Sequence, residues 1–61
     1  MDKWRQNYWF SPKTRILDDK GNIQYTEEGG LSGVLPPEWS DVPGGTSQDN
    51  AITWILIYDT M

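Results

Sequence analysis

Cysteine and histidine are both absent from the 61 residues of this sequence. Without cysteine the domain forms no disulfide, and without either residue it has no zinc site of the cysteine–histidine kind. The same absences exclude catalytic pairs in which a histidine activates a serine or cysteine nucleophile. We therefore expect a protein that is not an enzyme, has no catalytic residues and binds neither metal nor cofactor. Its stability then depends on its own core or on a partner.

Positive charge is also scarce: all five lysines and arginines lie within the first twenty residues, and the net charge is −4. Duplex DNA and RNA are bound by clustered cations, so this balance argues against a nucleic-acid partner. No run reaches the roughly 18 apolar residues of a membrane span. The first residues lack the apolar segment of a signal peptide. The sequence predicts a soluble protein made in a cytoplasm, with no membrane partner.

Carboxylates are plentiful, but their pattern does not indicate a site. The segment Asp18-Asp19-Lys20-Gly21-Asn22 lacks the alternating ligands and the final glutamate of a calcium-binding loop. A glycosidase needs two carboxylates on opposite sides of a cleft, which a chain this short can hardly form. We interpret these residues as a turn.

Strands are predicted in place of helices, because no segment keeps a helical apolar period. Residues 14–17 and 22–26 flank the turn and predict a β-hairpin. A further strand is predicted over residues 51–58. Residues 27–50, rich in glycine and proline, are predicted to be a long ordered loop. The expected fold is a single all-β domain over residues 1–61, with a small antiparallel sheet of about three strands.

The last predicted strand alternates apolar and polar residues in its first half and is apolar on both faces in its second half. Trp54 lies on one face, while Ile55 and Ile57 lie on the other. Either another chain contacts Ile55 and Ile57, or the N-terminal segment with Tyr8, Trp9 and Phe10 covers them. Consecutive strand residues point to opposite faces, so at least one of those three rings must leave the core. We take Trp9 as the candidate contact residue.

Three segments in order resemble a known motif: Gly30-Leu31-Ser32-Gly33, Pro37-Glu38-Trp39 and residues 49–54, which begin with Asp49 and end with Trp54. They resemble small bacteriophage structural modules that are similar to the type-3 chitin-binding modules of chitinases. In that pattern Trp4 is the opening tryptophan and Tyr25 the tyrosine of the second strand. The residues that the resemblance assigns to the core or motif are Trp4, Tyr25, Gly30, Ser32, Gly33, Pro37, Asp49 and Trp54.

The sequence departs from this pattern at Leu31, Pro36 and Asn50, which stand where the family has threonine, glutamate and glycine. By its own chemistry Asp49 is expected to hold the turn before the last strand through a bond to nearby backbone. Gly30 and Gly33 are expected to permit a tight reversal that Ser32 caps.

The resemblance implies a virion protein: a capsid decoration, head-fibre or tail-associated module. It would act through protein–protein contacts with other virion proteins, in multiple copies or as a homo-oligomer. One alternative is a carbohydrate-binding module that stacks surface aromatics on a glycan. A second is a phage-encoded inhibitor whose acidic face docks on a host protein. The candidates for glycan stacking or partner contact are Tyr8, Trp9, Trp39, Ile55 and Ile57.

Overall fold

The chain forms seven β-strands and, across the portion described, no helix. The structure is a computed structural model that describes the backbone of residues 1–59 and the side chains of residues 1–57. The strands are β1 (Asp2–Lys3), β2 (Trp9–Phe10), β3 (Thr14–Leu17), β4 (Asn22–Thr26), β5 (Gly30–Leu31), β6 (Thr46–Asp49) and β7 (Ile52–Asp59). Five of them form one sheet in the order β1-β3-β4-β7-β6, while β2 and β5 form a second sheet. The all-β prediction is confirmed, and the prediction of about three strands is wrong.

The predicted hairpin is formed by β3 and β4, with Thr14 opposite Thr26 and Leu17 opposite Ile23. Its turn is held by the buried Asp18 carboxylate. Oδ1 accepts hydrogen bonds from the backbone N–H groups of Lys20 and Asn22, each at 2.9 Å. Oδ2 accepts one from Gln24 Nε2 at 2.9 Å. The carboxylate is thus occupied by the turn itself, as expected of aspartate at such a position.

β7 is the long strand predicted over residues 51–58, and it lies between β4 and β6. Its pairing with β4 shifts between Ile23 and Gln24, which leaves Ile57 as an extra residue in β7. Such a bulge bends the strand locally. The strand's predicted face of Ile52, Trp54 and Leu56 is buried. The side chain of Tyr58, predicted on the same face, lies outside the described residues.

Four short strands were not predicted. β5 and β6 lie within the segment taken as a loop, and β1 pairs in parallel with β3, so the main sheet is mixed rather than antiparallel. β6 consists of Thr46, Ser47, Gln48 and Asp49 and has no apolar alternation. β1, β2 and β5 have only two residues each. Tertiary pairing forms these strands, and a pattern of hydrophobicity cannot reveal them.

Aromatic rings from distant parts of the chain form the core on one face of the main sheet. Phe10 and Trp39 both pack edge-on against Trp54, with ring centroids 5.2 and 6.0 Å from its own. Ile16 and Ile52 complete the buried cluster, and the half-buried Trp4 packs against it. Because Phe10 packs on the Trp54 face, its ring does not cover Ile55 and Ile57 on the opposite face.

Candidate functional site

The carboxylate of Asp49 holds together the segments that frame the candidate surfaces. Asp49 is only 3% exposed. Its Oδ2 accepts hydrogen bonds from both Trp4 Nε1, at 2.8 Å, and Trp54 Nε1, at 3.0 Å. Its Oδ1 accepts one from the backbone N–H of Gly33, at 2.9 Å. The expected local turn bond is therefore wrong: Asp49 joins its own hairpin, through Trp54, to Trp4 and Gly33, which are 45 and 16 residues away in the chain.

Ser32 fixes the N-terminal segment against β5. Its hydroxyl donates to the Arg5 carbonyl and accepts from the Tyr8 backbone N–H, the latter at 2.9 Å. The Ser32 N–H also donates to the Tyr8 carbonyl at 2.9 Å. The residue that was expected to cap a local reversal instead bridges to another segment. This bridge fixes the backbone immediately before Trp9.

The first candidate surface is the Trp9 ridge, which we define as Trp9 and Leu31. These two residues are directly opposite each other in the β2–β5 pair, and they are 65% and 43% exposed. Their strand neighbours Phe10 and Gly30 are buried. At Gly29 a β-carbon would lie 2.3 Å from the Phe10 carbonyl oxygen, so the chain can approach β2 this closely only with glycine there. The ridge is therefore apolar, exposed and held on a well-fixed backbone.

The second candidate surface is the outer face of the main sheet, opposite the aromatic core. We call it the outer sheet face and define it by Leu17, Ile23, Tyr25, Ile55 and Ile57. Cross-strand pairing sets Leu17 beside Ile23, and Tyr25 beside Ile55. Ile57 is 43% exposed, and the other four are half-buried. Nothing within the described side chains packs over this face as the aromatic core packs over the other.

Tyr25 gives this face its polar features. Its hydroxyl donates to Glu27 Oε1 at 2.6 Å, and the Arg15 guanidinium carbon lies 5.2 Å from its ring centroid. The hydrogen bond to the Glu27 carboxylate raises the pKa of Tyr25 above its usual value, with smaller contributions from desolvation and from the charge of Glu27. The resemblance grouped Tyr25 with the core or motif residues, but its ring lies on the face away from the core.

The third feature is a cavity of about 490 Å³ beside the hairpin turn. We call it the indole cavity, because Trp4 and Trp39 line it together with Leu17 and Pro36. Lys3, Asp18 and Asp19 supply charged groups to its wall. Its size falls within the range of roughly 300–1,000 Å³ typical of small-molecule sites. Both indoles are fixed, Trp4 by its bond to Asp49 and Trp39 by its edge-on contact with Trp54.

The predicted site residues therefore lie on several surfaces rather than one. Trp9 is on the ridge, and Ile55 and Ile57 are on the outer sheet face. Tyr8 is 42% exposed but turns its ring toward Phe10, with 4.8 Å between ring centroids. Trp39 is buried and lines the indole cavity. The predicted motif residues Gly30 and Ser32 are buried, while Gly33 and Pro37 are half-buried.

Sequence reasoning missed Leu31, Leu17 and Ile23. Leu31 was noted only as a departure from the motif, and its position opposite Trp9 depends on a strand pair that the pattern did not reveal. Leu17 and Ile23 were within predicted strands. Applying to β3 and β4 the alternation rule that was applied to β7 would have placed both on the outer face.

The buried carboxylates of Asp18 and Asp49 each accept three hydrogen bonds from the fold. Over the described residues, no group of three or more acidic side chains is placed to hold a metal ion. No helix in the described part of the chain is long and apolar enough to cross a membrane. Comparisons of the chain with protein-family models, curated proteins and solved structures gave no match.

Proposed function

We propose that this protein is a non-catalytic structural module of a bacteriophage particle, a capsid decoration, head-fibre or tail-associated protein that acts through protein–protein contacts. The observation that carries the proposal is the 65% exposure of Trp9, on a fixed strand and opposite the exposed Leu31. Large aromatic side chains in such positions are the residues that most often dominate binding energy at protein interfaces.

The free energy that a partner would gain by covering Trp9 is large for a domain of this size. A tryptophan can bury about 150–250 Å², and burial contributes about 25 cal/mol per Å². Covering the exposed 65% of Trp9 would therefore contribute about 3 kcal/mol. A 61-residue domain is stabilised by only about 3–9 kcal/mol in total. A partner that covers Trp9 thus gains substantially, while the isolated fold gains nothing from keeping it exposed.

The phage setting rests on the resemblance, and the geometry of the motif residues supports a structural role. Asp49, Trp4, Trp54 and Ser32 all contribute to holding distant segments of the fold together. None of them presents a free reactive group. The motif thus accounts for the architecture and leaves binding to the surface side chains.

The proposal is tested on the particles of the phage that encodes this chain. We expect mass spectrometry of density-banded particles to detect the chain in a fixed ratio to the major capsid or tail protein. We also expect its coding sequence to lie among capsid or tail genes. Particles that lack the chain after banding, together with a gene remote from that cluster, would refute the proposal.

A second candidate function, glycan binding, is favoured by the indole cavity. Trp4 and Trp39 provide aromatic walls, and the Asp19 carboxylate can accept hydrogen bonds from sugar hydroxyls. The test is titration of the protein with oligosaccharides while tryptophan fluorescence is followed. Saturable quenching that Asp19→Ala weakens would support this function, and an unchanged spectrum up to millimolar sugar would reject it.

A further inference from the structure

We propose that the protein associates head to tail, with Trp9 of one copy inserted into the indole cavity of the next. This inference builds on the proposed function, because it names a second copy of the chain as the partner of the Trp9 ridge. Trp9, which we call the knob, and the indole cavity lie on different surfaces of one molecule. The contact is therefore heterologous, and it generates a ring or an open row of copies.

The cavity suits an aromatic side chain. Its volume of about 490 Å³ accommodates one indole, and most of its wall is apolar: Trp4, Trp39, Leu17 and Pro36. Aromatic pairs gain from edge-to-face contacts in addition to the area they bury. The walls are already in place, because Trp4 is bonded to Asp49 and the adjacent turn is held by Asp18. A guest therefore pays little ordering cost on the cavity side.

Among the side chains of residues 1–57, one suits the role of guest. Val34, Leu35 and Val42 are also well exposed, but they are smaller and lie outside the strands. Trp9 combines the largest apolar side chain with a backbone fixed by β5 and Ser32. Its 65% exposure shows that it does not occupy the cavity of its own molecule. A second copy can therefore place its Trp9 in a cavity that the molecule's own Trp9 leaves unfilled.

The charges around the two surfaces are compatible with this contact. Two aspartates and one lysine line the cavity, which gives its wall a net charge of −1 (−2 from Asp18 and Asp19, +1 from Lys3). The charged residues closest in sequence to the ridge are the cations Arg5 and Lys13, each four residues from Trp9, and Glu28, three residues before Leu31. The Arg5 guanidinium carbon lies 5.1 Å from the ring centroid of Tyr8, the residue before Trp9. An exposed Asp19 carboxylate on one copy and an Arg5 guanidinium on the next are of opposite sign.

The test uses complementary variants of the full chain. Trp9→Ala removes the knob and keeps the cavity, while Asp19→Arg keeps the knob and places a long cation at the cavity wall. Pro36→Glu is a second, independent cavity variant, used if Asp19→Arg alters the circular dichroism spectrum. Val42→Ala is the control, because it removes an apolar side chain of similar fractional exposure (62% against 65% for Trp9) that lies outside both surfaces.

Sedimentation velocity over a micromolar-to-millimolar range gives the readout. We expect the wild type and Val42→Ala to associate, and each knob or cavity variant to weaken association at least tenfold. An equimolar mixture of Trp9→Ala and Asp19→Arg retains one functional contact. It should therefore form dimers, of twice the 7.0 kDa chain mass, and nothing larger.

Three outcomes overturn the inference: a wild type that stays monomeric at millimolar concentration, a Trp9→Ala variant that associates like the wild type, or a mixture that remains monomeric although the wild type associates. A symmetric contact between two ridges would instead leave Asp19→Arg associating on its own like the wild type, which would also overturn the inference. A monomeric chain found in phage particles would reject the head-to-tail contact and leave the proposed function standing. Dimers in the mixture, with no chain detected in phage particles, would support the head-to-tail contact and reject the proposed function.

Discussion

Replacing Asp49 by asparagine tests whether one buried carboxylate holds the fold together. The carboxylate accepts three hydrogen bonds, two of them from indole N–H groups on the same oxygen. Asparagine has one oxygen and one NH₂ group. If its oxygen faces the two indoles, its NH₂ group faces the Gly33 N–H, and two donors then oppose each other.

The cost can be worked from these contacts. A hydrogen bond to a charged group contributes about 1.5–3 kcal/mol, and a neutral one contributes about half as much. Losing the Gly33 bond and weakening the two indole bonds costs about 3–6 kcal/mol, and relief from burying a charge offsets part of this. We expect Asp49→Asn to lower the free energy of unfolding by about 2–4 kcal/mol, against a total of about 3–9 kcal/mol for 61 residues.

Urea denaturation followed by tryptophan fluorescence measures the change. Asp41→Asn is the control, because Asp41 is exposed and its substitution should change stability by less than about 0.5 kcal/mol. A double-mutant cycle between Trp4→Phe and Asp49→Asn should give a coupling energy above about 1 kcal/mol. A loss below about 1 kcal/mol for Asp49→Asn, or no coupling with Trp4, would refute the account of Asp49.

Three further predictions concern the backbone and the outer sheet face. Gly29→Ala should destabilise the fold by more than about 3 kcal/mol in urea denaturation, because its β-carbon would meet the Phe10 backbone at 2.3 Å. Gly44→Ala is the control: Gly44 has a similar φ but open space around it, so the substitution should cost only about 1 kcal/mol. Equal losses for the two would show that φ alone matters. Lys13 has a φ of 61°, so Lys13→Gly should be more stable than Lys13→Ala by about 1 kcal/mol, and equal stabilities would mean that this conformation carries no strain. Glu27→Gln should lower the pKa of Tyr25 in an absorbance titration of the phenolate, with Glu28→Gln as the control. Since folding raises that pKa, the stability it contributes is complete below about pH 10 and is lost as the pH rises through the folded-state pKa. A Tyr25 titration that Glu27→Gln leaves unchanged would remove the hydrogen bond as the cause.

The hairpin and β7 were predictable because their local patterns agree with the fold. Residues 14–26 carry strand formers around a turn, and Ile52, Trp54 and Leu56 alternate as a half-buried strand must. β1 and β6 were not predictable, since two charged residues and a polar tetrapeptide become strands only when β3 and β7 offer them edges.

In the candidate site, too, features set by neighbouring residues could be predicted, while features set by residues distant in sequence could not. Alternation along residues 8–10 predicted that at least one of three neighbouring rings leaves the core, and the structure exposes Trp9. The role of Asp49 did not follow, since its partner Trp4 is 45 residues away in the chain. Likewise, the indole cavity is bounded by β1, the hairpin turn and the segment at residues 36–39, whose meeting no local pattern specifies.

The position of β7 has a consequence during synthesis. It is the last of the seven strands to leave the ribosome, yet it lies between β4 and β6 and supplies Trp54 to both Phe10 and Trp39. Until residues 52–59 emerge, the backbone edge of β4 has no neighbour and the earlier rings have no common surface to pack against. Nascent chains that end before this point should therefore be open to proteolysis, and protection should arise in a single late step.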